Sequence, residues 1–297
     1  MLKILITGAS SYVGSHLVNR LKILPYELTL IRSSSSKNRI HQNIKSFDYN
    51  ASSFDIYKIM KKVKPDIVIH LAGFFVNEHN ASHLNKLVES NLVFGTKVLD
   101  AMREAGVKNF INTSSYWEDY YQNNGYHPVN LYAAIKKSFQ DILQYYTELH
   151  DFKALTLRLY DIYGPEDPRN KIIPLLIAQT NATSPLRMSL GEQYIDFIHI
   201  DDVIHAYMKA IRYITKIKKA GNVIVDIGTG KVTQLKQVVR LIEKMVKHSI
   251  SVTFGERPYR KREIMKARAG VRYTKKVLQW EAKIPISFGL RKLFRNI

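Results

Sequence analysis

Residues 4–14 read ILITGASSYVG. Three apolar side chains and a threonine give way at Gly8 to a run of small residues, and apolar residues resume at Tyr12 and Val13. A strand covered on both faces that passes directly into a helix has this profile. Gly8 permits a tight turn, and Gly14 lets the helix close on its neighbours. Backbone N–H groups at the start of such a helix face a pyrophosphate where one is bound. By itself the stretch also fits a plain strand–turn–helix corner. Ser11 stands where a glycine is most often found in the middle of a phosphate loop, which predicts a milder φ there or some strain.

The alternation continues outward from this stretch. Apolar runs at 3–7, 28–31, 67–70 and 110–113 predict parallel strands, with helical patterns at 15–24, 53–62 and 84–105 between them. An amphipathic segment at 129–150 leads into a further strand at 154–159. This βαβαβ order, with right-handed crossovers, predicts an α/β chain on a doubly wound parallel sheet. After Tyr163 the texture changes: GPEDPRN is turn-rich, IIPLLIAQT is a short helix, and the region to Gly191 is loop-like. A helix at 202–211, a strand at 224–227 and a helix at 234–247 predict a return to the sheet. The predicted division is 1–163 plus 192–250 for the main domain and 164–191 plus 251–297 for a small discontinuous C-terminal lobe.

The 297 residues suffice for one large core with an attached lobe. There is no cysteine, which excludes disulfides, thiolate catalysis and thiolate metal sites. No apolar run reads as a membrane span or signal peptide, so a cytoplasmic protein is expected. Lys and Arg number 45 against 25 Asp and Glu, and residues 201–297 hold 23 of the basic and 7 of the acidic side chains. Such a surplus suits nucleic acid, an anionic membrane face, a solubilising surface or the rim of a site for an anionic small molecule. No aromatic-interleaved basic module or helix-turn-helix pattern accompanies it, so neither nucleic acid nor membrane is the expected partner.

Arg32 follows the second strand, where an NAD site usually places a carboxylate on the ribose 2′-hydroxyl. No acid occurs from Thr29 to Asn43, whereas Arg32, Lys37 and Arg39 do. A dinucleotide bound here is therefore expected to be NADP(H), with its 2′-phosphate near Arg32; a solvated basic loop is the plain alternative. Tyr132 and Lys136 stand one helical turn apart and share a face. A phenol beside an ammonium has its pKa lowered, which suits Tyr132 for proton transfer and leaves Lys136 for the nicotinamide ribose. Ser114 and Ser115 lie just past the fourth strand, at the edge where open α/β sheets bind ligands, and Ser115 is placed to orient a substrate oxygen. His70, His199 and His205 read as structural, and no metal is expected. One of Asp201 and Asp202 is expected to cap the helix that follows.

TGASSYVGSHL, HLAG at 70–73, Asn91 with Gly95-Thr96, SS at 114–115, YAAIK at 132–136, RLYDIYGP at 158–165 and GEQYIDFIHIDDV at 191–203 occur in this order. With PYRKREI at 258–264 and VLQWEAKIPISFGLRK at 277–292, they span essentially the whole chain. Together they resemble the extended short-chain dehydrogenase/reductase family, of the NAD-dependent epimerase/dehydratase type, which acts on nucleotide-activated sugars. The resemblance implies a Rossmann domain with a lobe that closes over a nucleoside-diphosphate sugar, and a catalytic set of Ser115, Tyr132 and Lys136. It implies cofactor contacts from Gly8, Ser10, Ser11, Tyr12, Val13 and Gly14, from Arg32 and the adenine-side Asp48, and from Leu71, Ala72, Gly73, Asn91 and Lys136. Ser114, Tyr116 and Asp161 fall on its substrate side, with Arg187 and Arg260 as diphosphate ligands from the lobe. A homodimer through the helices at 84–105 and 129–150 is also implied.

Departures from the family pattern narrow the expected activity. Members that dehydrate the sugar carry Asp-Glu directly after the catalytic hydroxyl residue, whereas Ser115 is followed by Tyr116 and Trp117, with Glu118 and Asp119 displaced by two. Epimerases of the UDP-galactose type have an arginine where Ile195 stands, and Asp161 replaces a frequent asparagine. With Arg32, and with the texture of TSSYWEDY and RLYDIYGPEDPR, these departures imply NADPH-dependent reduction of the C4 ketone of a CDP-linked 4-keto-3,6-dideoxyhexose. The resembling enzymes are synthases of CDP-abequose and CDP-paratose for bacterial O-antigen lipopolysaccharide. A nucleotide-sugar 4-epimerase using bound NAD(P), and a non-catalytic NADPH-binding regulatory protein, are the alternatives.

Overall fold

In the computed structural model, residues 1–33, 43–49, 55–121 and 126–294 are described. Strands β1 (Leu2–Thr7), β2 (Tyr26–Ser33), β3 (Lys45–Tyr49), β4 (Ile67–His70), β5 (Asn109–Ser115) and β6 (Lys153–Leu159) join the strand Gly221–Ile227 in one sheet. The spatial order is Gly221–Ile227, β6, β5, β4, β1, β2, β3, with every neighbouring pair parallel. The order reverses between β1 and β4, so the loops leaving their C-terminal ends part and open a crevice there. Thr7 is in register with Ile31 on one side and His70 on the other, which brings Gly8, Arg32 and Leu71 to the same edge.

The helices are α1 (Tyr12–Leu21), α2 (Ile56–Val63), α3 (Ala81–Val88), α4 (Phe94–Ala105), α5 (Leu131–Leu149), α6 (Ile172–Ala178), α7 (Ile200–Ile214), α8 (Leu235–Val246), α9 (Val271–Leu278) and α10 (Ile286–Phe294). Ile4 and Ile6 of β1 point into a core shared with α1 and α7, while Leu5 points into the opposite one with α2, α4 and α5. Both faces are covered, which is why the sequence shows unbroken apolar runs and not alternation. The fold is thus the doubly wound parallel sheet expected, with a smaller C-terminal lobe. Among the described residues no helix is long and apolar enough to cross a membrane.

Several local features differ from the sequence expectations. β3 was not expected; it is a half-exposed edge strand, KSFDY, paired with β2 from Lys45 to Tyr49, and it carries no apolar run. The helical pattern over 84–105 is interrupted by a π-turn at Glu89–Val93. α7 is capped by His199, whose ring accepts from the Asp201 N–H at 3.2 Å, and not by either aspartate. Asp202 instead accepts from the N–H groups of Lys283 (3.0 Å) and Ile284 (2.8 Å), tying the tail to the helix. α8 packs with α6 and α10, whereas Leu278 and Trp280, at the end of α9 and just beyond it, return to the main core.

One buried carboxylate joins three segments. Asp196 is fully buried and accepts from Thr229 N (2.8 Å), Thr229 Oγ1 (2.6 Å), Gly230 N (2.8 Å) and Ala269 N (3.1 Å). Burial pushes its carboxyl up, and these donors oppose that rise.

Candidate active site

The loop between β1 and α1 is built around two glycines that nothing larger can replace. Gly8 has φ +69°, and a Cβ there would stand 2.4 Å from Ala72 N and 2.6 Å from the Leu71 carbonyl carbon. A Cβ at Gly14 would stand 2.2 Å from the Gly8 oxygen. Ser11, between them, takes the milder φ expected of a residue other than glycine, at φ −68° and ψ 165°, without strain. The reason is its role as N-cap, a position that takes extended backbone. Its Oγ accepts from Gly14 N at 3.0 Å, and its own N–H donates to the Gly8 oxygen at 3.0 Å. The side chains of Tyr12 and Val13 are buried, with the Tyr12 hydroxyl donating to Pro165 O at 3.1 Å and the Arg169 guanidinium 4.5 Å from its ring centre. What these residues and Ser10 offer a ligand is the amide end of the helix, and that cradle fits a pyrophosphate.

At the C-terminal end of β2, Arg32 and Asp48 are in register on β2 and β3, and Arg32 Nη2 meets Asp48 Oδ1 at 2.8 Å. The cation expected to take a 2′-phosphate is therefore already neutralised by a carboxylate, which is the group that accepts from a ribose hydroxyl. Lys37 and Arg39 lie outside the described residues. Leu71, Ala72 and Gly73 follow β4 and border the same crevice; a Cβ at Gly73 would stand 2.7 Å from Asn91 Oδ1. Asn91 is turned inward by the π-turn and donates to Phe74 O (2.8 Å) and Leu87 O (2.9 Å), so it fastens this loop to the helix behind it.

α5 starts at Asn130, whose side chain accepts from Ala133 N at 3.0 Å and donates to Asn77 O at 2.7 Å. Tyr132, Lys136 and Gln140 follow at one-turn intervals and form one stripe. Tyr132 lies edge-on to Phe75, with ring centres 5.1 Å apart. Ser115, at the end of β5, accepts from Trp117 N at 3.3 Å. Ser114 is buried behind it, donating to Glu118 and accepting from Gln140 Nε2 at 3.0 Å, while Gln140 also donates to Glu118. Ser114 therefore faces the interior and not the cleft.

Burial pushes Glu118 up to about 7, against the pull of Lys136. Burial likewise lowers Lys136 to about 8, with Glu118 opposing. The Tyr132 phenol is not lowered as expected. Burial, aided by the Glu118 charge, raises it well above the ordinary phenol range, because desolvation acts more strongly here than any neighbouring cation. His70 is also buried, its Nδ1 is 2.8 Å from Thr7 Oγ1, and burial lowers it to about 3.

Between the sheet edge and the lobe lies a cavity of about 580 Å³. Its wall includes Tyr116, Trp117, Asp161, Lys171, Arg187, Ile195, Arg257, Arg260, Arg262 and Glu263. Tyr116 stacks on Tyr160 at 4.7 Å and donates to Asp161, whose other oxygen is 4.0 Å from Lys171 Nζ. Arg187 pairs with Glu256 at 3.1 Å; Arg260 makes a forked pair with Glu263 at 2.8 and 3.0 Å. Lys171 Nζ stands 4.1 Å from the Phe75 ring centre and so links the cavity to the stripe on α5. Lys171, Arg257 and Gln140 carried no sequence signal of their own, since turn, tail and helix bring them in only after folding.

Residues 4–228 match the model of the NAD dependent epimerase/dehydratase family. The CDP-abequose synthase of Salmonella muenchen is 30% identical over 293 residues, covering 98% of this chain and 96% of that protein. A UDP-glucose 4-epimerase from Thermotoga maritima, solved with UDP-glucose, superimposes with a TM-score of 0.87 at 23% identity, covering 99% of each chain. A UDP-glucuronic acid 4-epimerase from Bacillus cereus, in complex with UDP-glucuronic acid and NAD, gives 0.86 at 22% identity, covering 99% of this chain and 98% of that one. These findings overturn two expectations. The dinucleotide in such structures is NAD and not NADP(H), in keeping with the carboxylate lying on Arg32. Solved proteins that share this fold include 4-epimerases, which displaces NADPH-dependent reduction of a C4 ketone.

Proposed function

The chain belongs to the NAD dependent epimerase/dehydratase family, and from that premise we propose that it is a nucleotide-sugar 4-epimerase that keeps NAD bound while it inverts C4 of a nucleoside-diphosphate sugar. The observation that carries this reading is the Arg32–Asp48 pair, in which the cation that a 2′-phosphate would need is already engaged by a carboxylate. The Gly8–Gly14 loop would hold the pyrophosphate, with residues 71–73 and Asn91 closing the nicotinamide side and Lys136 on the ribose.

NAD held by these residues would supply reversible acceptance of the hydride of the sugar C4. Tyr132 works as the phenolate, the form that the positive nicotinamide ring of bound NAD together with Lys136 would favour against the rise that burial imposes: it takes the proton of the C4 hydroxyl as the C4–H bond breaks and, then neutral, gives it back to the same oxygen, which Ser115 holds in line. No dinucleotide is consumed. Arg187, Arg257, Arg260 and Lys171, from the lobe of residues 164–191 and 251–297 in this reading, would hold the diphosphate; the cavity size suits such a ligand. Exposed Leu84, Tyr145 and Leu149 on α3 and α5 support a homodimer; a cytoplasmic setting belongs to the same proposal.

The test is to denature the purified protein and quantify released NAD, then to follow C4 inversion by NMR with UDP- and CDP-sugars. Stoichiometric NAD with inversion and no net absorbance change is expected. Product formed with matching consumption of a dinucleotide would refute the proposal.

A further inference from the structure

We propose that Glu118 is a positioning residue of the acid–base pair: a buried carboxylate, held by Ser114 and Gln140, that serves as counter-charge to Lys136 without forming an ion pair with it. The inference rests on the reading of Tyr132 and Lys136 as that pair.

Glu118 is 6% exposed and ends the short turn Tyr116–Glu118 that directly follows Ser115. Its hydrogen-bond partners Ser114 and Gln140 are neutral. A carboxylate buried among neutral groups is strongly unfavourable unless a charge compensates it. The charged and titratable groups that act on it are Lys136, Lys137 and Tyr132 from α5 and Arg158 from β6. Lys137 is engaged by Asp141 at 2.5 Å, and Arg158 by Asp226 at 2.5 Å. Lys136 is different: it is 4% exposed, its other titratable neighbour is the His70 ring on β4, which burial keeps neutral, and it takes part in none of the ion pairs found among the described residues. It stands one turn before Gln140 on the face that holds Glu118.

This arrangement has a chemical use. A direct salt bridge would occupy the donors of Lys136 and hold it away from a ligand. A carboxylate one turn behind supports the ammonium charge through the protein interior and leaves its N–H groups free for a ribose. A purely mechanical latch between β5 and α5 would survive glutamine, whose Oε1 can accept from Gln140 while its Nε2 donates to the rotatable Ser114 hydroxyl, so the charge itself separates the two roles.

Glu118→Gln keeps the shape and removes the charge. In the wild type, infrared spectroscopy should show a protonated side-chain carboxyl band that disappears as pH rises through neutrality. The band should be absent in Glu118→Gln and should persist to higher pH in Lys136→Met, where the opposing cation is gone. NAD released into solution during dialysis at each pH should show Glu118→Gln matching wild type at mildly acidic pH and weakening at lower pH than wild type does, by about tenfold per pH unit once Lys136 deprotonates. If Glu118→Gln does not fold, Lys136→Met reports the same coupling from the other partner. An unchanged carboxyl titration in Lys136→Met, or identical NAD-binding pH profiles for wild type and Glu118→Gln, overturns the inference. Failure of the wild type to bind NAD at any pH refutes the functional reading instead, while the infrared titration still decides the coupling.

Discussion

Replacing Asp196 tests whether the lobe is fastened by one carboxylate. Asp196→Ala removes the acceptor of three backbone N–H groups, those of Gly230 and Ala269, which are buried, and that of Thr229, which is partly buried. The Thr229 hydroxyl has a second acceptor in Lys231 O at 3.0 Å and loses less. Each stranded amide costs about 1–3 kcal/mol, and removing a buried charge recovers part of the sum, so a net loss of about 4 kcal/mol is expected. Asp196→Asn is the sharper variant. One oxygen serves Thr229 and the other serves Gly230 and Ala269, so either orientation of the amide turns an N–H donor on N–H donors. It should therefore cost about 2–4 kcal/mol despite its near-identical volume. Urea unfolding followed by tryptophan fluorescence is the assay, with Trp280 reporting the main core and Trp117 the cavity wall. An Asp196→Asn protein within about 0.5 kcal/mol of wild type, the range of ordinary surface substitutions, would refute the reasoning.

Tyr132→Phe should retain NAD while turnover falls by roughly 10²–10⁴-fold, measured by NMR inversion assay. Gly8→Ala should lower stability by about 2–4 kcal/mol, from left-handed backbone strain and the clash with residues 71–72, and should abolish NAD binding in titration calorimetry. Ser11→Ala removes the cap of α1 and should cost about 1 kcal/mol in chemical denaturation. The folded-state pKa of Lys136 falls from 10.5 to about 8, so between those values the unfolded chain holds a proton that the folded chain has released. Stability from this group therefore rises with pH across that window, and Lys136→Met should remove that rise from a pH series of melting temperatures.

The parallel sheet was legible because strands covered on both faces are uniformly apolar, and because Gly8 and Gly14 mark a turn that no other residue tolerates. Tyr132, Lys136 and Ser115 were legible as spacing on a helix and position at a strand end. What escaped was set by tertiary context. β3 is a polar edge strand without periodic signal. Arg32 suggested a 2′-phosphate site only until β3 placed Asp48 in register with it. The proximity of Tyr132 and Lys136 suggested a lowered phenol pKa, yet burial, which a spacing rule does not contain, raised it. Glu118 seemed displaced by two positions from where an acid is useful, but the short turn after Ser115 folds it inward onto Gln140.

The cleft wall carries five cationic side chains, Lys171, Arg187, Arg257, Arg260 and Arg262, against the acids Glu78, Asp161 and Glu263. Field lines from such a mouth, set in a chain of formal charge +20, reach beyond contact range and draw polyanions inward before any hydrogen bond forms. Encounter with a diphosphate-bearing molecule should accordingly slow as ionic strength rises, while the turnover of molecules already captured should not.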